Sequence, residues 1–426
     1  MKPVSTEGAV SDISFQEEIV RDLATFVARG NVDTKQMQLV EKYAPADAKL
    51  EIMRHFATEL ERLGQKSAAL IAWSTVASLE PDKQGRLEVL VRVARIRYDR
   101  NEKLKSKESF AEAVAYWKKS GCEDQIECEN LRKTLKNLVT DWHRAERKKP
   151  SANLLSVYTS YISKFEDDME MTFHAATIAN SLKLAQQGIE LYHKSSLLAA
   201  AKPDAKILAE SLAGEIEMAE MIKKGPESTA ARESAYDHYL KMAPSGAMAH
   251  QVSYQRARLP YESGDNQRAA DRLETYARSA LCVGAKAAGR KLCLQAAELD
   301  IDARVQLKND VQVEKSALAY AKFYPENKIE FLRIARTSAM KQSTSMSEDD
   351  ALVKLAAIDT TGITADEKLR LIKTRMTLAE KVKDLPRLKS SANELLSLKN
   401  LSEKDRELGL SRLAWAAEMS FDFKSA

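Results

Sequence analysis

Glycine and proline are scarce in this chain, 14 and 10 among 426 residues, about half the roughly 12% share of an average protein. Sheets and long loops need more turn punctuation than this, so the shortage predicts a chain that is almost wholly helical. Long apolar runs are missing too: no stretch of 18 uninterrupted apolar residues occurs, which excludes a membrane-spanning helix. Residues 1–13 (MKPVSTEGAVSDI) hold no apolar core of the kind a secretion signal needs. Two readings follow, a cytoplasmic protein or one whose signal has been replaced by an initiator methionine.

Net charge is also small. There are 66 basic and 62 acidic residues, a formal +4, and the two signs interleave along helical stretches such as Glu88, Arg92, Arg95 and Glu215, Glu217, Glu220, Lys223. Solvated helix faces have this pattern. Neither a basic domain nor a basic stripe stands out, which argues against nucleic-acid or membrane-surface binding. Catalytic signatures are absent as well. The six histidines (His55, His143, His174, His193, His238, His250) form no His-x-x-x-His pair, so the zinc-protease pattern fails and surface or half-buried hydrogen-bonding roles are expected. No phosphate loop, dinucleotide glycine fingerprint or Gly-x-Ser-x-Gly elbow occurs. The one Ser-x-x-Lys, Ser338-Ala339-Met340-Lys341, lacks its companion motifs. The expectation is a chain with no active site, no cofactor and no metal.

What the sequence does contain is a period. Helix-breaking stops fall at Pro81, Cys122, Glu166, Pro203, Pro244, Gly284, Pro325, Thr360 and Asn400, a spacing of about 40 residues that marks helix–turn–helix repeats. The clearest unit is 49–81. Its first helix, KLEIMRHFATELERLG, sets Ile52, Phe56, Ala57 and Leu60 on one face, and Gly64 supplies the left-handed residue that ends it. The second, SAALIAWSTVASLE, sets Ala69, Trp73, Val76 and Ala77 inward, and Pro81 closes the unit. A second unit runs from Ser253 to Leu281 with Ala257, Gly264-Asp265, Ala269, Leu273 and Tyr276; Pro260 in its first helix predicts a kink or an early stop. Tyr158/Tyr161/Phe165, Tyr236/Tyr239/Pro244 and Ala317/Tyr320/Pro325 align with one another, and Tyr158, Tyr161, Tyr239 and Tyr320 read as packing between repeats. Residues 126–149 read as one longer helix with Leu131, Leu135, Leu138 and Trp142 inward. Lys148-Lys149-Pro150 and Lys223-Lys224-Gly225-Pro226 read as a cationic last turn followed by breakers, and Ser347 reads as an N-cap.

The residues Phe56, Ala57, Leu60, Gly64, Ala69, Trp73 and Pro81 resemble the tetratricopeptide repeat. The resemblance implies an all-α, right-handed superhelical solenoid of about nine to ten antiparallel helix pairs, with residues 1–48 a polar lead and capping helices and residues 49–426 the repeats. Leu413 to Glu418 reads as a first helix and Asp422 to Ala426 as the turn into a second, so the array is expected to break off inside its last repeat and the natural protein to continue.

The four cysteines fall in two pairs. Cys122 and Cys128 flank one repeat junction, and Cys282 and Cys293 flank another. A turn at each junction would bring the Cα atoms within disulfide range, about 4.4–6.8 Å; four small apolar packing residues are the alternative. Disulfides would place the protein in the periplasm or another oxidising compartment, and free thiols in the cytoplasm.

In tetratricopeptide-like arrays the first helix of each pair lines a concave groove. The resemblance therefore places Arg256, Arg258, Lys291, Arg333, Arg336, Arg370 and Lys373 in a positive trough suited to acidic peptide segments of partner proteins, with ordinary solvated charge as the alternative. The expected work is non-catalytic, a scaffold for protein–protein interaction. Tyr-x-x-Tyr and Tyr-Pro repeat endings are most similar to bacterial envelope members of the family, which act in outer-membrane assembly, envelope processes and gliding motility. The superhelical prelude of a soluble lytic transglycosylase and a cytoplasmic adaptor are the competing readings.

Overall fold

The structure, a computed structural model, describes residues 7–223 and 225–420. It is all-α, with no strand among the described residues, and divides into two units, Met1–Ala231 and Arg232–Ala426. The first unit holds α1 (Glu7–Arg29), α2 (Thr34–Tyr43), α3 (Lys49–Arg62), α4 (Lys66–Leu79), α5 (Lys83–Asp99), α6 (Lys103–Ser120), α7 (Gln125–Glu146), α8 (Ala152–Lys164), α9 (Met169–Ser181), α10 (Ala185–Ala201) and α11 (Ala205–Met221). The division falls within α12 (Pro226–Met242). The second unit continues with α13 (Ala249–Glu262), α14 (Asn266–Ala277), α15 (Ala287–Gln306), α16 (Asp310–Phe323), α17 (Lys328–Ser343), α18 (Glu348–Ala356), α19 (Ala365–Lys381), α20 (Leu385–Leu396) and α21 (Glu403–Met419).

All nine sequence stops lie between an even-numbered helix and the odd-numbered one after it, from Pro81 between α4 and α5 to Asn400 between α20 and α21. The repeating unit is therefore an odd–even helix pair. Within each unit most helices pack on their chain neighbours, as α3 does α4, α10 does α11 and α16 does α17, and helices one pair apart also touch, as α1 does α3, α6 does α8 and α13 does α15. Pairs stacked so that each touches the next form a solenoid. In α3 and α4 the buried stripe is Ile52, Met53, Phe56, Ala57 and Leu60 against Ala68, Ala69, Ala72, Trp73 and Val76. Alanines let the backbones approach while Phe56 and Trp73 fill the space between them. In α7, Leu131, Leu135, Leu138 and Trp142 are buried, and Tyr158, Tyr161, Tyr239 and Tyr320 are all buried.

One turn recurs within the pairs. Gly64, Asn101 and Lys183 in the first unit, and Gly264, Lys308 and Lys383 in the second, have φ between 55 and 80°. In each case the residue after this one opens the next helix, and its amide returns to a carbonyl of the helix just ended. The six bonds are Gln65 to Leu60, Glu102 to Arg97, Leu184 to Ala179, Asp265 to Pro260, Asn309 to Arg304 and Asp384 to Ala379, at 2.9–3.1 Å. This is the Schellman arrangement, which satisfies carbonyls that a helix end would otherwise leave unbonded. Asp265, Asn309 and Asp384 also cap the following helix through their side chains. Sequence inspection finds the glycine versions; the lysines carry no such signal.

Several expectations are corrected. Pro260 neither stops α13 early nor removes the turn: the helix runs two residues further, to Glu262, and the carbonyl of Pro260 accepts the Asp265 amide. A proline this close to the C-terminus forfeits one amide bond to a preceding carbonyl, not a run of them. Lys148 and Lys149 lie beyond the last turn of α7, and Lys223 beyond that of α11. Pro226 begins α12, where its fixed φ suits a first helical position. Ser347 does cap α18, accepting the Asp350 amide at 3.2 Å. The segment 413–418 lies within α21; Asp422 to Ala426 lie outside the described residues.

Cys122 is joined to Cys128 and Cys282 to Cys293, with Cα atoms 5.9 and 5.8 Å apart. Each bridge closes a short loop at a joint between pairs, a constraint worth about 2–3 kcal/mol on chain-entropy grounds. The first is half-buried and the second fully buried.

The second unit also buries charge. Asp300 has no exposure and accepts hydrogen bonds from Arg304 Nε at 2.7 Å and Tyr320 Oη at 2.8 Å, while Arg304 reaches Glu274 at 2.7 Å. Burial pushes the Asp300 carboxyl up to about 6, against the opposing pull of Arg304 and Tyr320.

Two outcomes follow. Lys183→Gly, Lys308→Gly and Lys383→Gly, at exposed sites, should each raise stability by about 0.5–1 kcal/mol, because a side chain in the left-handed region costs about 1–2 kcal/mol and glycine's extra chain entropy offsets part of the gain. Thermal unfolding checks this; a loss at all three sites would contradict the turn geometry. Asp300 has a folded pKa above its unfolded value, so its contribution to stability is full below about pH 4 and lost as pH rises through about 6. The stability difference between wild type and Asp300→Asn should therefore change between pH 4 and 6 and be flat above 7. A difference independent of pH across that window would exclude the shift.

Candidate functional site

All seven cations expected in a trough lie in the second unit, on α13, α15, α17 and α19. The structure does not line them up as free charges. Arg256 is paired with Asp237, Arg258 with Glu262 at 3.3 Å and Lys373 with Asp405. Lys373 holds the Asp405 carboxyl below the usual carboxylate range. Lys291 is exposed and stands apart on α15. The continuous trough is thus replaced by largely self-neutralised charge, because the same helix (Glu262) and other helices (Asp237, Asp405) supply acids of the opposite sign.

Three of the seven do converge. Arg333 and Arg336 on α17 and Arg370 on α19 line one cleft of about 420 Å³, together with Lys341. Its apolar surface comes from Met340, Ile358, Ile363 and Leu371. Helical spacing accounts for one wall, since residues three or four apart share a helix face: Arg333, Thr337 and Lys341 form one row on α17, and Arg336 and Met340 the next, continued by Thr344 at the C-cap. The other wall is α19 and the segment before it, whose start is fixed by a capping box. Thr364 Oγ1 accepts the Glu367 amide and Glu367 Oε2 accepts the Thr364 amide, each at 3.2 Å.

Arg336 organises the cleft from within. Expected to reach into a groove, it is only 6% exposed and is a correction to that reading. Its Nη1 donates to the Thr361 and Asp359 carbonyls at 3.1 and 3.4 Å, and its Nη2 to Glu367 at 3.3 Å. Its Nε is buried without a protein partner. A second arginine does the same from α19: Arg375 donates from Nε and Nη2 to the Leu355 carbonyl near the end of α18, at 2.9 and 2.6 Å. Guanidinium groups thus hold the carbonyls of the α18–α19 joint, where the favourable end of the helix dipole adds to the hydrogen bonds.

At the rim, Arg333 grips Glu330 through two nitrogens at 2.9 and 2.5 Å, which keeps the Glu330 carboxyl below its ordinary range. Arg370 is exposed. Lys341 sits 3.8 Å from Asp310, a loose pair. Four cations thus face one lining acid, Glu367, and that acid is already engaged. The first unit offers a contrast in a cleft of about 440 Å³ at α3, α5 and α7, where Arg92 lies between Glu61 at 3.3 Å and Glu88 at 3.5 Å and the lining acids Glu61, Glu88 and Glu127 outnumber the arginines Arg92 and Arg95.

Met340, Lys341, Ile358, Ile363 and Leu371 were missed as site residues in the sequence. The α17 members were within reach, being one turn from Arg336 or two from Arg333. The 357–364 segment carries no periodic signal, and its part in the cleft is set by Arg336.

No family model matches the chain, and no curated protein matches it. Among solved structures, it is similar to a tetratricopeptide repeat protein from Parabacteroides merdae, with 12% identity over 67% of this chain and 98% of that one, at a TM-score of 0.25. A circular tandem repeat protein is similar at 11% identity over 98% and 99%, with a TM-score of 0.20. At these scores the matches carry no argument, and the architecture stands on the helix pairing itself.

Proposed function

We propose that the chain is a non-catalytic protein-binding array, and that an acidic segment of a partner protein seats in the α17–α19 cleft. The observation that carries this reading is the composition of the cleft: an apolar lining from Met340, Ile358, Ile363 and Leu371 beside Arg333, Arg370 and Lys341. Arginine next to buried aliphatic surface is the make-up of a binding hot spot, and its planar fork pairs with carboxylates through two parallel bonds. Guanidinium groups stay protonated at any working pH, so they bind and orient without transferring protons. Charge complementarity selects carboxylate-bearing segments, and the aliphatic residues select an apolar side chain beside the acid.

The two disulfides favour an oxidising setting such as a bacterial envelope. Thiol titration of unreduced protein taken from its native compartment should find no reactive thiol, and four would place the chain in the cytoplasm.

The function itself is tested by affinity capture in the native compartment with wild type and Arg370→Glu. Arg370 is exposed and its reversal leaves the core untouched. Capture of the partner should fall at least tenfold in the variant and weaken with salt in the wild type. Equal recovery by both proteins would remove the cleft from the function.

A further inference from the structure

The two disulfides sit in unlike surroundings. Cys282 and Cys293 are fully buried, whereas Cys122 and Cys128 are half-buried at the edge of the first unit's core. Thiol–disulfide exchange begins when a thiolate reaches one sulfur of the bridge, so exposure decides which of the two is open to it. The Cys122–Cys128 bridge also stands where little else holds the chain. It spans the joint from α6 to α7, and these helices barely touch: α6 packs on α5 and α8, and so does α7. Residues 123–127, 129 and 130 are all exposed, and the first buried side chain of α7 is Leu131. Among the described residues, the polar bonds that reach this turn from another helix come from Gln84 on α5. Its Oε1 accepts the Asp124 amide at 3.2 Å and its Nε2 donates to the Glu127 carboxylate.

We propose that the Cys122–Cys128 bridge is a redox latch: a dithiol reductant opens it in the folded protein and frees the first turn of α7, while the rest of the helix stays docked. One thiolate of the reductant attacks a sulfur of the bridge, forms a mixed disulfide and expels the other cysteine as a thiolate. The reductant's second thiol then closes its own disulfide and expels the second cysteine. Two electrons and two protons pass to the protein, giving two cysteine thiols and an oxidised reductant. What is lost is the tie between Cys122, before the helix, and Cys128, one turn inside it. Asp124 still caps the helix, accepting the Glu127 amide at 2.9 Å, but that bond is local and exposed, and a turn with no buried side chain opens at little cost. Beyond it Leu131, Leu135, Leu138, Val139 and Trp142 are buried and keep the helix in place. The boundary between what moves and what stays falls at Leu131.

The position of the turn gives the latch an effect. The cleft at α3, α5 and α7 has Glu127, Asn130, Leu131 and Thr134 as its α7 wall. Glu127 and Asn130 lie on the released side of the boundary, Leu131 and Thr134 on the held side. In the oxidised protein the bridge and Gln84 keep Glu127 at the cleft. In the reduced protein that end of the wall leaves, and with it one of the three lining acids. The latch thus sets both the length and the charge of the cleft.

Amide exchange of the full chain at pH 7, before and after treatment with dithiothreitol under native conditions, tests the latch. Two thiols per chain should become titratable while Cys282–Cys293 stays closed. The amides of residues 128–131 should then exchange about tenfold faster or more, with those of 135–142 unchanged. The double variant Cys122→Ser, Cys128→Ser should match the reduced wild type without any reductant. Gln84→Ala, with the bridge intact, should leave these amides slow. Four thiols appearing together, or exchange at 128–131 untouched by reduction, would overturn the proposal, and so would release of the turn by Gln84→Ala alone.

Discussion

A helix ends with carbonyls that have no partner inside it, and a chain of short helices meets this problem at every turn. Here six of the turns within pairs solve it identically, with one residue in the left-handed region and one amide reaching back five positions. The consequence is geometric. A turn that leaves three residues between two helices, with one of them held in the left-handed region, fixes where the second starts relative to the first, so their apolar stripes meet in register. Burial of Phe56, Trp73 and Tyr320 depends on that register, and the surfaces outside the core inherit their order from it.

Polar groups do for the joints between pairs what the backbone does within them. Arg336 and Arg375 bind carbonyls around the α18–α19 joint. Arg290 reaches the Cys282 and Phe323 carbonyls at 3.1 and 2.9 Å and stacks on Tyr324 with its carbon 4.3 Å from the ring centre. Arginine suits this task because its planar fork can bridge two acceptors while its faces lie on aromatic rings. The same residue type therefore supplies both mortar and binding surface, and burial separates the roles: Arg336 belongs to the frame and Arg370 to the rim.

That separation explains what could and could not be read from the residues. The period, the nine stops and the inward stripes of α3, α4 and α7 are local patterns and were legible. Gly64 and Gly264 announced their turns; Lys183, Lys308 and Lys383 did not, because tertiary packing imposes a conformation that lysine tolerates without favouring. Pro260 looked disruptive because its distance from the helix end could not be judged. Among the groove cations, charge and helix position were visible but pairing was not. Asp237 and Asp405 neutralise two of them from other helices, while Glu262 pairs with Arg258 one turn along α13, and only the fold brings the 357–364 segment against α17.

The account rests on the shared turn, and amide hydrogen exchange reads it directly. Gln65, Glu102, Leu184, Asp265, Asn309 and Asp384 sit between helices, where an amide in an ordinary solvent-facing connection would exchange quickly. If each amide is held by the carbonyl five residues back, all six should exchange slowly, at rates close to those of the helix ends they join. Exchange of these amides at the rate of an unstructured peptide, while the helices on either side stay protected, would contradict it.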